Sequence, residues 1–241
     1  FKYEADILRL PPLWIPPRFT IEHYASVLQR SQIIQWFLNS ALIGIGTTFI
    51  VLVVDSLAAY AFARLQFFGR DVLFAVVVAS MMVPQQVTMV PLFTFVSALG
   101  FVNRLEAVVL PAAAGAFGVS LLRQFFSGVP MELEEAALID GSSRLGILWR
   151  VILPLSKPAL SALGIFTFLG SWNNFLWPLI VLQHSQKFTL PVGLANMQGT
   201  YTTSSYGILM AAAVISSFPI LILFLFLKDQ VISGITMTSG I

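Results

Sequence analysis

Cysteine is absent from this 241-residue chain, which removes disulfides, thiol catalysis and thiolate metal sites. Charge is scarce as well: Asp, Glu, Lys and Arg make up 10% of the residues, against roughly 25% in an ordinary soluble domain. The net charge of +2 is small and its basic residues are scattered, so nothing suggests binding to nucleic acid. The only histidines, His23 and His184, are far apart in sequence and neither has a ligand-like neighbour, which argues against a metal site. No G-x-x-x-x-G-K-[ST] loop occurs, so the chain has no recognisable means of holding nucleotide phosphates by itself. Any ATP it uses must be held by another subunit. Paired carboxylates, catalytic triads and zinc-protease motifs are missing too, and the many Ser, Thr and Tyr residues lack a base, which argues against an enzyme.

What fills the chain is apolar: 57% of its residues are hydrophobic and the mean hydropathy is +0.87. The predicted fold class is all-α, a polytopic membrane helix bundle. Stretches 36–63, 71–96, 107–122, 159–182 and 206–227 read as five spans, judged against the ~20 apolar residues a crossing needs. The second is interrupted by Pro84 and Pro91, and the third is short and rich in Ala and Gly, which permits close helix packing. Residues 1–34 form a more polar strap with Pro11, Pro12, Pro16 and Pro17, leading to a short helix near 21–32 capped by Thr20. Residues 35–241 make up the transmembrane domain. Placing the 64–70 loop, the 129–158 loop and the tail inside collects Arg64, Arg70, Arg123, Arg144, Arg150, Lys157 and Lys228, whereas the short outside loops hold only Arg104 and Lys187. The positive-inside rule then makes the 129–158 loop cytoplasmic.

That loop, VPMELEEAALIDGSSRLGILWRVILPLSKP, is the long polar interruption of the membrane-like sequence. Pro130 suits a first helical position, and Glu132, Glu134 and Glu135 place carboxylates at the positive end of the helix dipole. The small Ala136 and Ala137 let another surface approach the backbone, and Gly141 marks a left-handed helix end after Asp140. Ser142 or Ser143 can cap a second short helix, expected to stop before Pro154. The first helix is too short to span and should lie on the membrane surface. Composition alone leaves a solvated acidic helix without a partner as the alternative.

The spacing Glu135-Ala136-Ala137, three residues, Gly141, nine residues, Val151, one residue, Leu153-Pro154 resembles the EAA loop of membrane subunits of ATP-driven ABC importers, with Val151 where isoleucine is usual. AAYAFARL, MMVPQQ, LLRQFF, SWNNFLWP and TLPVGL extend the resemblance to carbohydrate permeases of the maltose type. The resemblance implies a permease subunit for a sugar or sugar-like solute in a bacterial or archaeal plasma membrane. It would pair with a second, related permease and with lipid, sit on two ATPase subunits and receive solute from an extracytoplasmic binding protein. No cofactor is expected on this chain, with ATP and Mg on the ATPase partners. PPLWIPPRFTIEHYASVL followed by FLNSALI resembles the segment after a first span, so a sixth span is expected upstream of Phe1, where no signal-peptide pattern appears.

By the same resemblance, Glu135, Ala136, Ala137, Asp140, Gly141, Leu153 and Pro154 couple to the ATPase. Trp172, Asn173 and Asn174, with Gln85 after Pro84, are expected to line the path, since Trp stacks on sugar rings and amides bond hydroxyls. The residues themselves leave open that the amides only bond neighbouring helices. Of the polar loop 183–205, the stretch 196–205 is expected to project outward, with Asn196, Met197, Gln198, Gly199, Thr200 and Tyr201 touching the binding protein. An ordinary solvated loop is the other reading. Asp55, the one acid inside a span, is expected to be structural, contacting water or pairing with a basic residue. Two alternatives stay open: a permease for a non-sugar solute such as glycerol-3-phosphate, and a membrane scaffold or channel without an ATPase.

Overall fold

The computed structural model describes residues 1–201 and 205–238, and every regular element among them is helical. The longest buried-face helix, Ile33–Arg64, forms the axis of the bundle and is by length and composition able to cross a membrane alone. Its buried residues recur at helical spacing (Trp36, Asn39, Ser40, Ile43, Gly44, Thr47, Val51, Asp55, Ala59) and face helices Ala116–Ser127 and Lys157–Trp172. Gly44 lies against Phe168, whose ring occupies the space a β-carbon would need.

The five predicted spans are not five straight rods. Helices Arg70–Ser80 and Gln85–Ala98 meet at 100° across the break at Pro84, and Glu106–Ala112 and Ala116–Ser127 at 44°. Proline supplies no N–H and disfavours helix in the residue before it, so Pro84 accounts for the first break. Pro91, by contrast, is accommodated inside Gln85–Ala98. The stretch 159–182, expected as one span, is split: Lys157–Trp172 ends at Asn173, and a separate short helix follows at Leu176–Val181. The last helix, Tyr206–Thr238, runs on through Pro219.

The expectation of an irregular polar loop over 183–205 is overturned as far as Tyr201. A turn at Ser185–Lys187 is followed by a helix, Leu190–Tyr201, in which Leu190, Leu194 and Met197 pack in one cluster with Val27, Ile33 and Trp36. A period of three to four separates these apolar residues, so they seat one face of a helix. Of the loop read from sequence, Thr202, Thr203 and Ser204 lie outside the described residues.

The N-terminal strap is fastened to the end of the chain. Glu4 accepts hydrogen bonds from Ser205 Oγ, Tyr206 N–H and Gly207 N–H at 2.8, 2.6 and 3.1 Å, so it caps the last helix from outside. Partial burial raises its carboxyl pKa, but these bonds, with nearby His23, outweigh burial and hold it below the ordinary value. Helix Glu22–Arg30 packs beside this junction, and Thr20 Oγ1 accepts from the Glu22 N–H at its start.

Candidate functional site

The surface helix read from the acidic loop is present as Met131–Ile139. Its end is built by hydrogen bonds from Gly141 N–H to the Leu138 carbonyl (3.0 Å) and from Ser142 N–H to the Ala137 carbonyl (2.9 Å). That pair closes the helix in a left-handed turn, with Gly141 at φ +79°. Ser143 Oγ then accepts from Gly146 N–H and caps the next helix, Arg144–Leu155. The expectation that this helix stops before Pro154 fails. Residues Leu148–Ile152 widen into a π-turn, in which the Leu153 N–H reaches the Leu148 carbonyl. A widened turn relieves the clash between a proline ring and the carbonyl four residues back, so the helix passes Pro154 and turns by 83° only after Leu155.

Glu135, Ala136, Asp140, Gly141 and Pro154 are exposed at this end of the bundle, Ala137 is half-buried, and Leu153 turns toward the core. Apolar side chains share the exposed surface: Ile139 is 87% exposed, Leu145 59% and Trp149 55%. The acid between the exposed ones is the reverse case. Glu134 is wholly buried, with Oε1 2.9 Å from Arg64 Nε in an ion pair not aligned as a hydrogen bond. Its Oε2 lies 3.5 Å from the Tyr60 hydroxyl and 3.9 Å from Arg144 Nη1. Sequence reading missed this cluster, because Glu132, Glu134 and Glu135 look alike until the helix is seated. The usable signal was that Glu134 stands one turn before Ala137, on the side of the helix that meets the bundle.

The residues expected along a path separate into two groups. Trp172 is 3% exposed, stacked on Phe168 (5.6 Å between centroids), edge-on to Phe37 (5.4 Å), and donates to the Ser216 carbonyl. It is a core residue here, because neighbouring rings occupy the surface it would offer a sugar. Asn173, exposed, and Asn174, half-buried, sit in the break between the two helices. Asn173 Nδ2 donates to the Leu169 carbonyl of its own helix, not to a neighbour. Gln85 is exposed at the start of its helix. That helix packs against Leu176–Val181 through Met89, Leu92, Phe93 and Val96 meeting Trp177 and Val181, so the two breaks belong to adjoining elements.

At the other end of the bundle, Asn196, Gln198 and Gly199 are exposed on helix Leu190–Tyr201, whereas Met197 is 3% exposed. Met197 is thereby corrected from a contact residue to an internal anchor. The side chains of Thr200 and Tyr201 lie outside the described residues.

Among the described residues Asp55 has no basic partner. Its Oδ1 accepts from the Gly115 N–H at 3.1 Å, directly before helix Ala116–Ser127, and Oδ2 lies where Gly118 has no side chain. A helix broken inside the bundle leaves N–H groups without partners, and the carboxylate of the neighbouring helix satisfies one of them. The expected structural role is thus met by a cap in place of an ion pair.

The comparisons agree with this architecture. Residues 55–236 match the family model "Binding-protein-dependent transport system inner membrane component". The arabinooligosaccharides transport system permease protein AraQ of Halalkalibacterium halodurans is 37% identical over 240 residues, covering 98% of this chain and 86% of that protein. The trehalose/maltose transport system permease protein MalG of Thermococcus litoralis is 37% identical over 221 residues, covering 90% and 80%. Among solved structures, a chain of a bacterial ABC transporter involved in import of the acidic polysaccharide alginate superposes with a TM-score of 0.83 at 25% identity, covering 93% of this chain and 84% of that one. A family match over most of the chain, with relatives 37% identical over 90% or more of it, shows that this protein belongs to the family of inner-membrane components of binding-protein-dependent transport systems.

Proposed function

We propose that this chain is the permease subunit of an ATP-driven importer for a sugar or sugar-like solute and forms half of the translocation path. A second permease completes the path, two ATPase subunits sit beneath the pair with helix Met131–Ile139 docked on them from the membrane side, and an extracytoplasmic binding protein delivers solute to the opposite end. ATP and Mg belong to the ATPase partners. The observation that carries this reading is the inside-out character of the short helix: Glu134 is buried while Ile139 is 87% and Leu133 44% exposed. Nine residues span only about 14 Å, too short to cross a bilayer, and an exposed apolar patch rimmed by acids is the mark of a protein interface. The sugar class is supported by what the relatives' names say they carry, namely arabino-oligosaccharides, trehalose or maltose, and diacetylchitobiose.

Ile139→Glu tests the docking surface. Placing a charge at the centre of an interface should cost about 2 kcal/mol or more, so ATPase recovered with the membrane complex should fall by at least about tenfold, with insertion unchanged. Undiminished ATPase would move the docking surface away from Ile139, whereas a scaffold or channel would recover no ATPase even with the unmutated chain. Gln85, Asn173 and Asn174 remain the proposed lining, with Trp172 bracing the break from behind. Asn174→Leu should slow uptake without changing solute affinity of the isolated binding protein; unchanged uptake kinetics would move Asn174 off the path. Contact with the binding protein falls to Asn196, Gln198 and Gly199, with the 200–205 stretch beyond them.

A further inference from the structure

The two ends of the molecule are joined by one element, helix Ile33–Arg64, which at 32 residues is about 48 Å long. At one end Arg64 grips three pieces at once. Its Nε pairs with the buried Glu134 of helix Met131–Ile139, and its Nη2 donates to the carbonyls of Phe126 and Val129. Tyr60, one turn earlier, reaches the same carboxylate. At the other end, three buried side chains of the same helix hold the segment that leads into helix Leu190–Tyr201. Trp36 Nε1 donates to the Ser185 carbonyl (2.7 Å), Asn39 Nδ2 donates to the carbonyls of Gln186 and Phe188 (2.9 Å each), and Ser40 Oγ accepts the Leu190 N–H (2.7 Å). These contacts are directional and anchor backbone, so displacement of one end cannot be absorbed by side-chain slippage as it could across an apolar seam.

We propose that helix Ile33–Arg64 is the transmission rod of this permease: the Arg64–Glu134 latch passes the ATPase stroke into it, and Asn39, Trp36 and Ser40 pass its movement to helix Leu190–Tyr201. This rests on the permease reading above. Arg64, Glu134 and Asn39 are positioning residues, since they act through the elements they hold. The docking surface of Met131–Ile139 is exposed on the side away from Glu134, so breaking the latch leaves ATPase binding intact while disconnecting it.

The test uses the whole complex in nanodiscs, with nucleotide-free and ATP-trapped states compared. Because the chain has no cysteine, spin labels at Glu132→Cys and Leu42→Cys report one distance within it. In the wild type that distance should change by less than about 2 Å between the states, the size of an ordinary helix shift at an interface; a larger change overturns the rod. The double variant Arg64→Met/Glu134→Met removes both charges together, which buried pairs tolerate far better than loss of one partner. It and Asn39→Leu should keep basal ATP hydrolysis within about twofold but lose about tenfold of its stimulation by the loaded binding protein, the range expected of a coupling energy between sites. Wild-type stimulation in the double variant would make the ion pair a stability element only and overturn the proposal. Failure of the permease reading looks different, because the unmutated chain would then recover no ATPase. If neither variant assembles, the wild-type distance still decides.

Discussion

Gly118→Val should remove a large part of the stability of the fold. A β-carbon at this position would lie 2.0 Å from Asp55 Oδ2 and 3.0 Å from Leu163 Cδ1. Asp55 cannot rotate away without giving up the Gly115 N–H it caps. Overpacking costs about 1–3 kcal/mol and loss of a cap about another 1–2 kcal/mol, against a total stability of about 5–15 kcal/mol. A combined loss of about 3 kcal/mol corresponds to a fall of about 6–12 °C in Tm for a chain this size, readable by thermal scanning in detergent. Gly118→Ala should also destabilise, and less so in an Asp55→Ala background, where the niche is empty. Strict additivity of those two changes would show that the carboxylate does not occupy the niche.

Gly141→Val should abolish most transport by a different route, one that leaves folding largely intact. Apart from its two chain neighbours, no described residue places an atom within 4 Å of the β-carbon position, so the substitution meets no steric obstacle. The cost is conformational: φ is +79°, where a side chain is disfavoured by about 1–2 kcal/mol and a β-branched one more. The chain can escape that strain by changing φ, which breaks the closing bonds to the Leu138 and Ala137 carbonyls and re-aims helix Met131–Ile139 relative to Arg144–Leu155. Cell uptake of the solute should fall by about tenfold or more, with ATP hydrolysis reduced or uncoupled and membrane levels near wild type. Gly141→Asn, which tolerates a left-handed conformation, should retain much of the activity. Normal transport by the valine variant would mean that the angle between these helices does not matter to coupling.

The surface helix was legible because its signals are local. An acidic first turn, paired alanines and a glycine at the end dictate where a short helix begins and closes, whatever surrounds it. The break after Ser80 was legible for the same reason, from Pro84. The helix at Leu190–Tyr201 was not, because its polar residues mask three apolar ones whose partners, Val27, Ile33 and Trp36, lie more than 150 residues earlier. Trp172 was misassigned because a tryptophan beside two asparagines reads equally well as a ring for sugar or a ring for Phe168 and Phe37. Arg64 and Glu134 were each noticed as charges, but separate residues 70 apart carry no mark of being a pair.

The sequence by itself determined the solvent, the element type and the short acidic helix: apolar composition requires backbone groups to be satisfied within helices in a membrane, and turn chemistry sets the ends of the short ones. Only the tertiary structure decided which polar groups are buried and what they hold. Burial of Glu134 against Arg64, of Asp55 against Gly115 and of Asn39 against the 186–188 carbonyls depends on which helices meet and at what rotation. That choice follows from packing of the whole bundle, where a buried polar group is stable only once its distant partner is in place.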